Sequence, residues 1–418
     1  MTAASGPTGI PTSQPPTPNP TRPPVRRRRS RTGLYTVVGV VLIVLVLVGV
    51  GYGTDWYGLQ KSSSPAACSS GITLQGDGAQ IAVPLMGVWT STFQGVTNNM
   101  VNYPGSGSGT GLTHFTQKTV DFAVTDDPLT LAERTALPSG ALTLPFVGGA
   151  LTLIYNLPGV SGHLNLTGSL LVGIYNGSIT TWNDPALVAA NPGVSLPSNT
   201  IVPVIRSDSA GTTYVLSDFL TQSSSWWATN VGKGISIQFP PNVVGELGEH
   251  GNSLVISTVV KTSYSIGYSD LTDVLTASSP PQYAAIQNPK GNYIVPTIAN
   301  TESALVDKVQ SMAAIPNSAG DWFNVSMVKA NGTGDYPIAT FLYMFVYQAT
   351  DQGLAPTLAK SQVLVQWFQW VFTSGQPLVD ETQPTPLYYA PLPPEIVTVD
   401  KAGLQTMTFN GASIPTCT

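Results

Sequence analysis

The residues most able to do chemistry follow a predicted strand over 201–205, where Arg206 and Asp208 precede a turn rich in Ser, Gly and Thr. Beyond residue 54 the chain has only one other arginine, Arg134. Asp208 is well placed to hold the guanidinium of Arg206, which leaves the planar fork free to grip two oxygens of a tetrahedral anion. A surface ion pair without function is the alternative for these two residues.

Two further segments, 76–81 and 105–111, share the design of 206–213, in which a Gly-rich or hydroxyl-rich turn leads into a predicted helix. Glycines allow the backbone to approach a ligand closely, and the start of a helix leaves N–H groups without intrahelical partners. Each turn could therefore offer several donors to an oxyanion. Taken singly, each is equally typical of a loop with a Ser or Thr helix cap.

Asp126 stands at the end of a predicted strand over 120–124, and Asp127 and Pro128 resemble the N-cap and the first residue of a helix. An ionised carboxylate only accepts hydrogen bonds, whereas phosphate at neutral pH still carries a proton that it can donate. Asp126 would therefore favour protonated phosphate and repel fully deprotonated sulfate. This position predicts phosphate rather than another oxyanion.

The distribution of charge excludes several classes of function. Residues 1–54 carry six arginines and no acid, which leaves 11 basic against 22 acidic residues in the remainder of the chain. Nucleic-acid binding needs clustered Lys and Arg, so we expect no nucleic-acid partner. The sequence also has no G-x-S-x-G or H-E-x-x-H motif and no Cys/His metal spacing, so we expect no enzyme, metal or cofactor.

The N-terminal segment predicts a membrane tether. Residues 1–33 are rich in Pro, Thr and Ser and end in clustered arginines, which is typical of a disordered basic tail. Residues 34–53 are uncharged over twenty positions, the length of a transmembrane helix. The arginines should keep the tail cytoplasmic and place everything beyond a linker over 54–71 outside the cell membrane. A cleaved signal peptide is the alternative.

The only two cysteines, Cys68 and Cys417, stand near the two ends of the external part. In an oxidising compartment they would form one disulfide that pins these ends together. A lipid-anchored Cys68 is the alternative interpretation.

Short apolar strands alternate with helical segments along the external part, which predicts an α/β architecture with largely parallel sheets. The predicted strands are 120–124, 150–155, 201–205 and 341–347, and the predicted helices are 128–136, 212–220, 304–313 and 362–372. The last helix, with Trp367 and Trp370, is interpreted as an amphipathic core helix.

Many motifs stand in a fixed order between about Gly71 and Val397. They are 101–111, 119–126, 155–160, 173–185, 191–193, 206–213, 266–268, 336–338 and 389–393. In this order they resemble the PstS family, the substrate-binding proteins of high-affinity phosphate ABC transporters. The resemblance implies a two-lobed α/β periplasmic-binding-protein-like fold of type II, with a hinge and an anion held in the cleft. It also implies a discontinuous lobe I over 72–148 and 337–418 and a lobe II over 149–336.

The resemblance implies a phosphate site when it is carried over position by position. The implied contacts are Gln80, Ile81, Ser108, Asp126, Arg206, Ala210, Gly211 and Thr212. Asp208 would orient the arginine. The family usually has Thr and Phe where this chain has Gln80 and Ile81, and Ser in place of Ala210. Two hydroxyl donors are therefore missing, which Gln80, Ser209 or backbone N–H groups could replace.

The expected function is that of a membrane-anchored extracytoplasmic receptor, which binds inorganic phosphate and delivers it to the permease subunits of an ABC transporter. The alternative is a sensor or surface-binding protein for phosphate or another oxyanion that is not coupled to transport.

Overall fold

The computed structural model describes residues 68–137, 140–241 and 245–417. The predicted basic tail 1–33, the predicted membrane helix 34–53 and most of the predicted linker 54–71 lie outside these residues. Within the described ranges, no helix combines the length and the apolar character that crossing a membrane requires. The predicted disulfide is confirmed, since Cys68 is bonded to Cys417 with their Cα atoms 5.0 Å apart. The lipid-anchor alternative for Cys68 does not fit this bond.

Strands and helices alternate along the described residues, as expected for an α/β protein. The strands are β1 Thr73–Gly78, β2 Met100–Asn102, β3 Phe122–Thr125, β4 Ala141–Tyr155, β5 Asn165–Leu166, β6 Val202–Arg206, β7 Leu247–Glu249, β8 Ser265–Asp270, β9 Gln282–Tyr283, β10 Ala285–Gln287, β11 Tyr293–Ile294, β12 Ala339–Tyr347, β13 Thr408–Phe409 and β14 Ala412–Ser413. The helices are α1 Val83–Thr97, α2 Ser108–Thr116, α3 Leu131–Ala136, α4 Gly168–Tyr175, α5 Pro185–Ala190, α6 Gly211–Ser223, α7 Ser225–Asn230, α8 Asn252–Lys261, α9 Leu271–Thr276, α10 Ile298–Ser311, α11 Leu358–Trp370 and α12 Pro394–Leu404. The other helical elements are short 3-10 turns at Gln80–Ala82, Thr350–Gln352 and Gln376–Leu378 and a π-helical turn at Val371–Gly375.

The main sheet contains β2, β1, β3, β12, β4, β8, β6 and β7 in that order, with β9 added against β4. Strand β1 pairs in parallel with β2 and β3, and β6 pairs in parallel with β7 and β8. At the centre β4 and β12 are antiparallel to each other and to their other neighbours. The prediction of largely parallel sheets was therefore wrong at the centre. There the chain crosses between the two ends as long strands rather than through helical crossovers.

Two large hydrophobic cores and a third, smaller one divide the described residues into two lobes. Core A includes Trp89, Phe122 and Trp367, and core B includes Tyr155 and Trp182. Every residue of β4 and β12 is buried, so these strands run as continuous apolar segments from one core to the other. Lobe I is here the set of elements that pack on core A, and lobe II the set that pack on core B or on the small core C, which includes Val204 of β6 and Val255 of α8.

The residue limits expected for the lobes, 72–148 with 337–418 and 149–336, stay a prediction. Two observations bear on them. Val147 packs in core A and Ala150 in core B, on either side of the expected crossing point. Leu305 of α10 and Trp322 lie within the expected lobe II but pack in core A.

The predicted core helix over 362–372 is confirmed up to Trp370, where α11 ends and the π-helical turn begins. Trp367 is fully buried and stacks on Trp370, and it meets Trp89 and Phe93 edge to face. Thr357 caps the start of this helix by accepting a hydrogen bond from the N–H of Lys360.

The helix after Asp126 begins later than expected. Its N-cap is Thr130, whose hydroxyl accepts from the N–H of Glu133, while the Glu133 carboxylate accepts from the N–H of Thr130. This reciprocal pair is a capping box, which stabilises a helix start more completely than a single side chain does. The prediction of Asp127 as N-cap and Pro128 as first helical residue was therefore wrong.

Candidate functional site

The three turns singled out in the sequence converge on one small cavity between the lobes. Residues from all three turns, from the end of β3 and from α8 and β8 line it: Ala79, Gln80, Ile81, Gly107, Ser108, Asp126, Arg206, Ala210, Gly211, Thr212, Asn252 and Asp270. All eight positions predicted to contact phosphate are in this set. The starts of α2 and α6 meet there, so their first N–H groups, which have no intrahelical partners, and the positive ends of their helix dipoles lie beside the same space.

The first two turns are held in place by the buried carboxylate of Asp77. Its Oδ1 accepts hydrogen bonds from the N–H groups of Gly78 and Ser106, each over 2.8 Å. The N–H of Gly107 donates to the carbonyl of Gly78 over 2.7 Å, and Gly107 has a φ of 108°, a conformation that favours glycine. These bonds fix the direction in which α2 begins and bring Ser108 to the cavity.

Arg206 ends β6, and four of its hydrogen bonds fix its guanidinium. Nε and Nη2 donate to the two carboxylate oxygens of Asp208 over 2.7 and 2.5 Å, so this pair is bidentate. Nη1 donates to the hydroxyl of Thr212 over 3.1 Å and to Oδ1 of Asn252 over 2.5 Å. The orienting role of Asp208 stays a prediction, which this bidentate geometry supports. The expectation that the fork stays free for two anion oxygens does not match the structure, because Nε, Nη1 and Nη2 all donate within the protein.

The two members of this pair shift each other's pKa in opposite directions. Burial by itself would lower the pKa of Arg206, but the hydrogen bonds and charge of Asp208 outweigh it, and the pKa of the guanidinium is raised. Burial by itself would raise the pKa of Asp208, but the hydrogen bonds and charge of Arg206 lower it overall. Both groups therefore stay ionised over the physiological pH range, and the cavity keeps its cation.

Asp126 lies at the carboxyl end of β3 and is only 2% exposed. Its Oδ1 accepts a hydrogen bond from the Ser108 hydroxyl over 3.2 Å, and that hydroxyl accepts one from the N–H of Gly211 over 3.3 Å. Burial raises the pKa of Asp126 to about 6, although the bond from Ser108 and the charge of Arg206 act in the opposite direction. At neutral pH Asp126 is therefore mostly an ionised acceptor inside the cavity.

The glycine at position 211 is required by this arrangement. A Cβ atom added to Gly211 would lie 1.2 Å from Oδ1 of Asp126, so no larger residue fits unless the carboxylate moves. Gly211 and Thr212 are the first two residues of α6, so the carboxylate packs directly on the start of that helix.

The chain differs from the usual family sequence at Gln80 and Ala210, and the structure shows what these residues and Ser209 contact. The N–H of Ala210 donates to the carbonyl of Ile235 over 2.8 Å, so this position supplies neither a hydroxyl nor a free amide. Ser209 does not line the cavity, but faces the neighbouring groove beside Asp208 and His250. Gln80 uses its Oε1 to accept the N–H of Asn252 over 3.1 Å.

Sequence reasoning missed two important residues of the cavity, Asn252 and Asp270. Asn252 opens α8 after Gly251, and Asp270 ends β8 much as Asp126 directly follows β3. A polar residue at the carboxyl end of a strand was the signal that could have found Asp270. The Nδ2 group of Asn252 donates to Asp270 over 2.5 Å and to Asp273 over 2.8 Å, which links Arg206 to these carboxyl groups.

Comparison with known proteins identifies the family. The PBP superfamily domain matches residues 61–374. The phosphate-binding protein PstS of Xylella fastidiosa (strain Temecula1) is 33% identical over 345 residues, which cover 81% of this chain and 86% of that protein. The chain belongs to the PstS family within this superfamily.

A second PstS relative matches over nearly its whole length. The phosphate-binding protein PstS of Haemophilus influenzae is 32% identical over 355 residues, covering 84% of this chain and 98% of that protein. Among solved structures, a human phosphate-binding apolipoprotein has a TM-score of 0.62 at 18% identity, covering 82% of this chain and all of that one. A high-affinity periplasmic phosphate-binding protein, PfluDING, has a TM-score of 0.59 at 19% identity, covering 79% and 93%. At these identities the structures show the shared two-lobed fold alone.

Proposed function

We propose that this protein is an extracytoplasmic receptor that captures inorganic phosphate in the cavity between its lobes and delivers it to the permease of an ABC transporter. The observation that carries the proposal is the meeting of two helix starts and Arg206 around a cavity that also contains the Asp126 carboxylate. The helix starts and the guanidinium attract a tetrahedral anion. The relatives named phosphate-binding protein PstS support phosphate as that anion.

Asp126 supplies the selectivity. A protonated phosphate can donate a hydrogen bond to the carboxylate, whereas sulfate at neutral pH has no proton to donate and would place two unprotonated acceptors in contact. The site therefore combines strong attraction for an oxyanion with rejection of the oxyanion that lacks a proton.

Calorimetric titration of the full-length protein with phosphate, with sulfate as competitor, tests the proposal. We expect phosphate to bind well below about millimolar concentration, where the free energy of binding exceeds roughly 4 kcal/mol, and sulfate to compete poorly. In Asp126→Asn the amide can donate to either anion, so the preference for phosphate should weaken. Equal binding of sulfate by the unmodified protein, or no phosphate binding below millimolar concentration, would refute the proposal.

Attachment to the membrane by residues 34–53, with residues 1–33 in the cytoplasm, forms part of the same proposal. It is supported by the length of the uncharged segment and the arginines before it. Fractionation of cells with antibodies against the first residues and against the external part tests it. Intact protein that carries both epitopes in the membrane fraction is expected, and a soluble protein that lacks the first epitope would contradict it.

A further inference from the structure

The cavity contains a second carboxyl group besides Asp126. Asp270 is 2% exposed and lines the same cavity. It stands at the N-cap position of α9 but makes no side-chain capping bond there. Its Oδ2 accepts one hydrogen bond, from Nδ2 of Asn252. Asp270 is therefore buried at the ligand cavity and not engaged in closing its own helix.

The charged groups around Asp270 leave an excess of negative charge. Asp208 already neutralises Arg206 through its bidentate pair, and among the residues lining the cavity Arg206 is the only Lys or Arg. The titratable groups that interact with Asp270 come from the end of β6, the end of β3, α9 and the 389 loop: Arg206, Asp126, Asp273 and Tyr389. Among the described residues that line the cavity, no second Lys or Arg offsets Asp126 and Asp270.

We propose that Asp270 acts together with Asp126 to select phosphate in its protonated form, so that the complex holds two protons between the phosphate and these two carboxyl groups. This inference rests on the proposed function. One proton lies between a phosphate oxygen and Asp126, and the other lies between a second oxygen and Asp270. Dibasic phosphate brings only one proton, so in alkaline solution the second is taken up from the solvent when phosphate binds.

The physical reason is that three anionic groups cannot share a water-poor space without protons between them. Two neighbouring acceptors that lack a proton repel each other, and a shared proton converts the repulsion into a hydrogen bond. Burial, followed by the charges of Asp273 and Asp126, raises the pKa of Asp270 well above its ordinary value. The negative charge of bound phosphate favours the protonated form of Asp270 further.

This arrangement makes affinity depend on pH in a defined direction. Where free phosphate is dibasic and both carboxyl groups are ionised, binding takes up one proton, so affinity should fall about tenfold for each unit of rising pH. In Asp270→Asn the amide nitrogen donates to the phosphate without any proton uptake. The variant should therefore lose this dependence and bind more tightly than the unmodified protein in alkaline solution.

Titration calorimetry of the full-length protein with inorganic phosphate, between about pH 7 and pH 9.5, measures both effects. Repeating the titration of the unmodified protein in two buffers with different ionisation enthalpies gives the number of protons taken up on binding. This count requires no variant. Asp273→Asn is the matched control, because Asp273 shares Asn252 with Asp270 but does not line the cavity. It should keep the slope of the unmodified protein, whatever its absolute affinity.

The outcomes separate this inference from the proposed function. Affinity that falls with pH in the unmodified protein and in Asp273→Asn, but not in Asp270→Asn, supports the proposal. Tight phosphate binding that is independent of alkaline pH, or an unchanged slope in Asp270→Asn, overturns it and leaves the phosphate receptor intact. No phosphate binding at any pH would instead refute the proposed function itself.

Discussion

Gln80 of lobe I and Asn252 of lobe II are joined across the cleft, since Oε1 of Gln80 accepts the backbone N–H of Asn252 over 3.1 Å. Asn252 also accepts from Arg206 and donates to Asp270. Gln80, which stands where the family usually has a hydroxyl residue, thus contacts the opposite lobe. Its partner there is Asn252, which also accepts a hydrogen bond from the Arg206 guanidinium. Gln80 therefore joins the two sides of the cavity.

Replacing Gln80 by Ala should therefore speed the release of phosphate. Loss of one neutral hydrogen bond costs roughly 0.5 to 1.5 kcal/mol, which is up to about tenfold in affinity and should fall mostly on the dissociation rate. A stopped-flow experiment measures the rate at which phosphate dissociates from each variant. The control is Gln75→Ala, because the side-chain Oε1 of Gln75 accepts from Nδ2 of Asn102 within lobe I, and its loss should leave release unchanged. Equal dissociation rates in the two variants would contradict a role in closure.

The sequence could place Gln80 in a ligand turn but could not pair it with Asn252, which is 172 residues away. Local patterns identified the strand ends, the helix starts and Arg206, because turn chemistry and helix capping depend on neighbouring residues. They could not identify the antiparallel centre of the sheet, because pairing of β4 with β12 is a contact between distant segments. Asp270 was missed because its strand, Ser265–Asp270, was not among the predicted strands, so the polar residue at its end was not recognised.

Gly211→Ala should abolish tight phosphate binding. The added Cβ would overlap Oδ1 of Asp126 at 1.2 Å, so either the carboxylate or the start of α6 must move. Overpacking of this kind costs roughly 1 to 3 kcal/mol, or about five- to more than a hundredfold in affinity if it falls on the site. Gly87→Ala is the control, because a Cβ there meets nothing within 4 Å on an exposed face of α1. Titration of both variants decides it, and wild-type affinity in Gly211→Ala would show that the carboxylate is not fixed.

Arg206→Lys should weaken phosphate binding although the charge is kept. A lysine cannot reach both oxygens of Asp208 together with Thr212 and Asn252, which the guanidinium does through Nε, Nη1 and Nη2. Hydrogen bonds to charged groups contribute roughly 1.5 to 3 kcal/mol, so a loss of about ten- to more than a hundredfold is expected by calorimetry. The same exchange at Arg134, whose Nη1 donates to the carbonyl of Ala319, should leave affinity unchanged. Equal losses at both arginines would remove the special role of Arg206.

Removal of the Cys68–Cys417 bond should lower stability but not ligand affinity. The bond joins positions 349 residues apart, so it restricts the unfolded chain strongly. Loss of a native disulfide typically costs roughly 2 to 5 kcal/mol. Thermal unfolding of the double Cys→Ser variant, compared with the unmodified protein under oxidising conditions, should show a lower midpoint, and phosphate titration of the folded variant should be unchanged. A large loss of affinity would mean that the chain ends influence the cavity.

The stability of the unliganded protein should fall as pH rises between about 4 and 6, and Asp126 should cause part of that fall. The ordinary pKa of an unfolded aspartate is about 3.9, and burial raises that of Asp126 to about 6. Below about pH 4 the carboxyl group is neutral in both states, so its contribution to stability is fully present there and is lost as pH rises through the folded pKa. Asp126→Asn removes this titration, and it should raise the free energy of unfolding at neutral pH by up to roughly 3 kcal/mol while leaving it nearly unchanged at about pH 4.

Chemical unfolding of both proteins at the two pH values gives the difference directly. A variant that is no more stable than the unmodified protein at neutral pH would show that the buried carboxylate is compensated by its surroundings. The expected gain indicates that the ionised Asp126 carboxylate lowers the stability of the unliganded protein. Such a cost is expected of a group whose function is to accept a hydrogen bond from protonated phosphate.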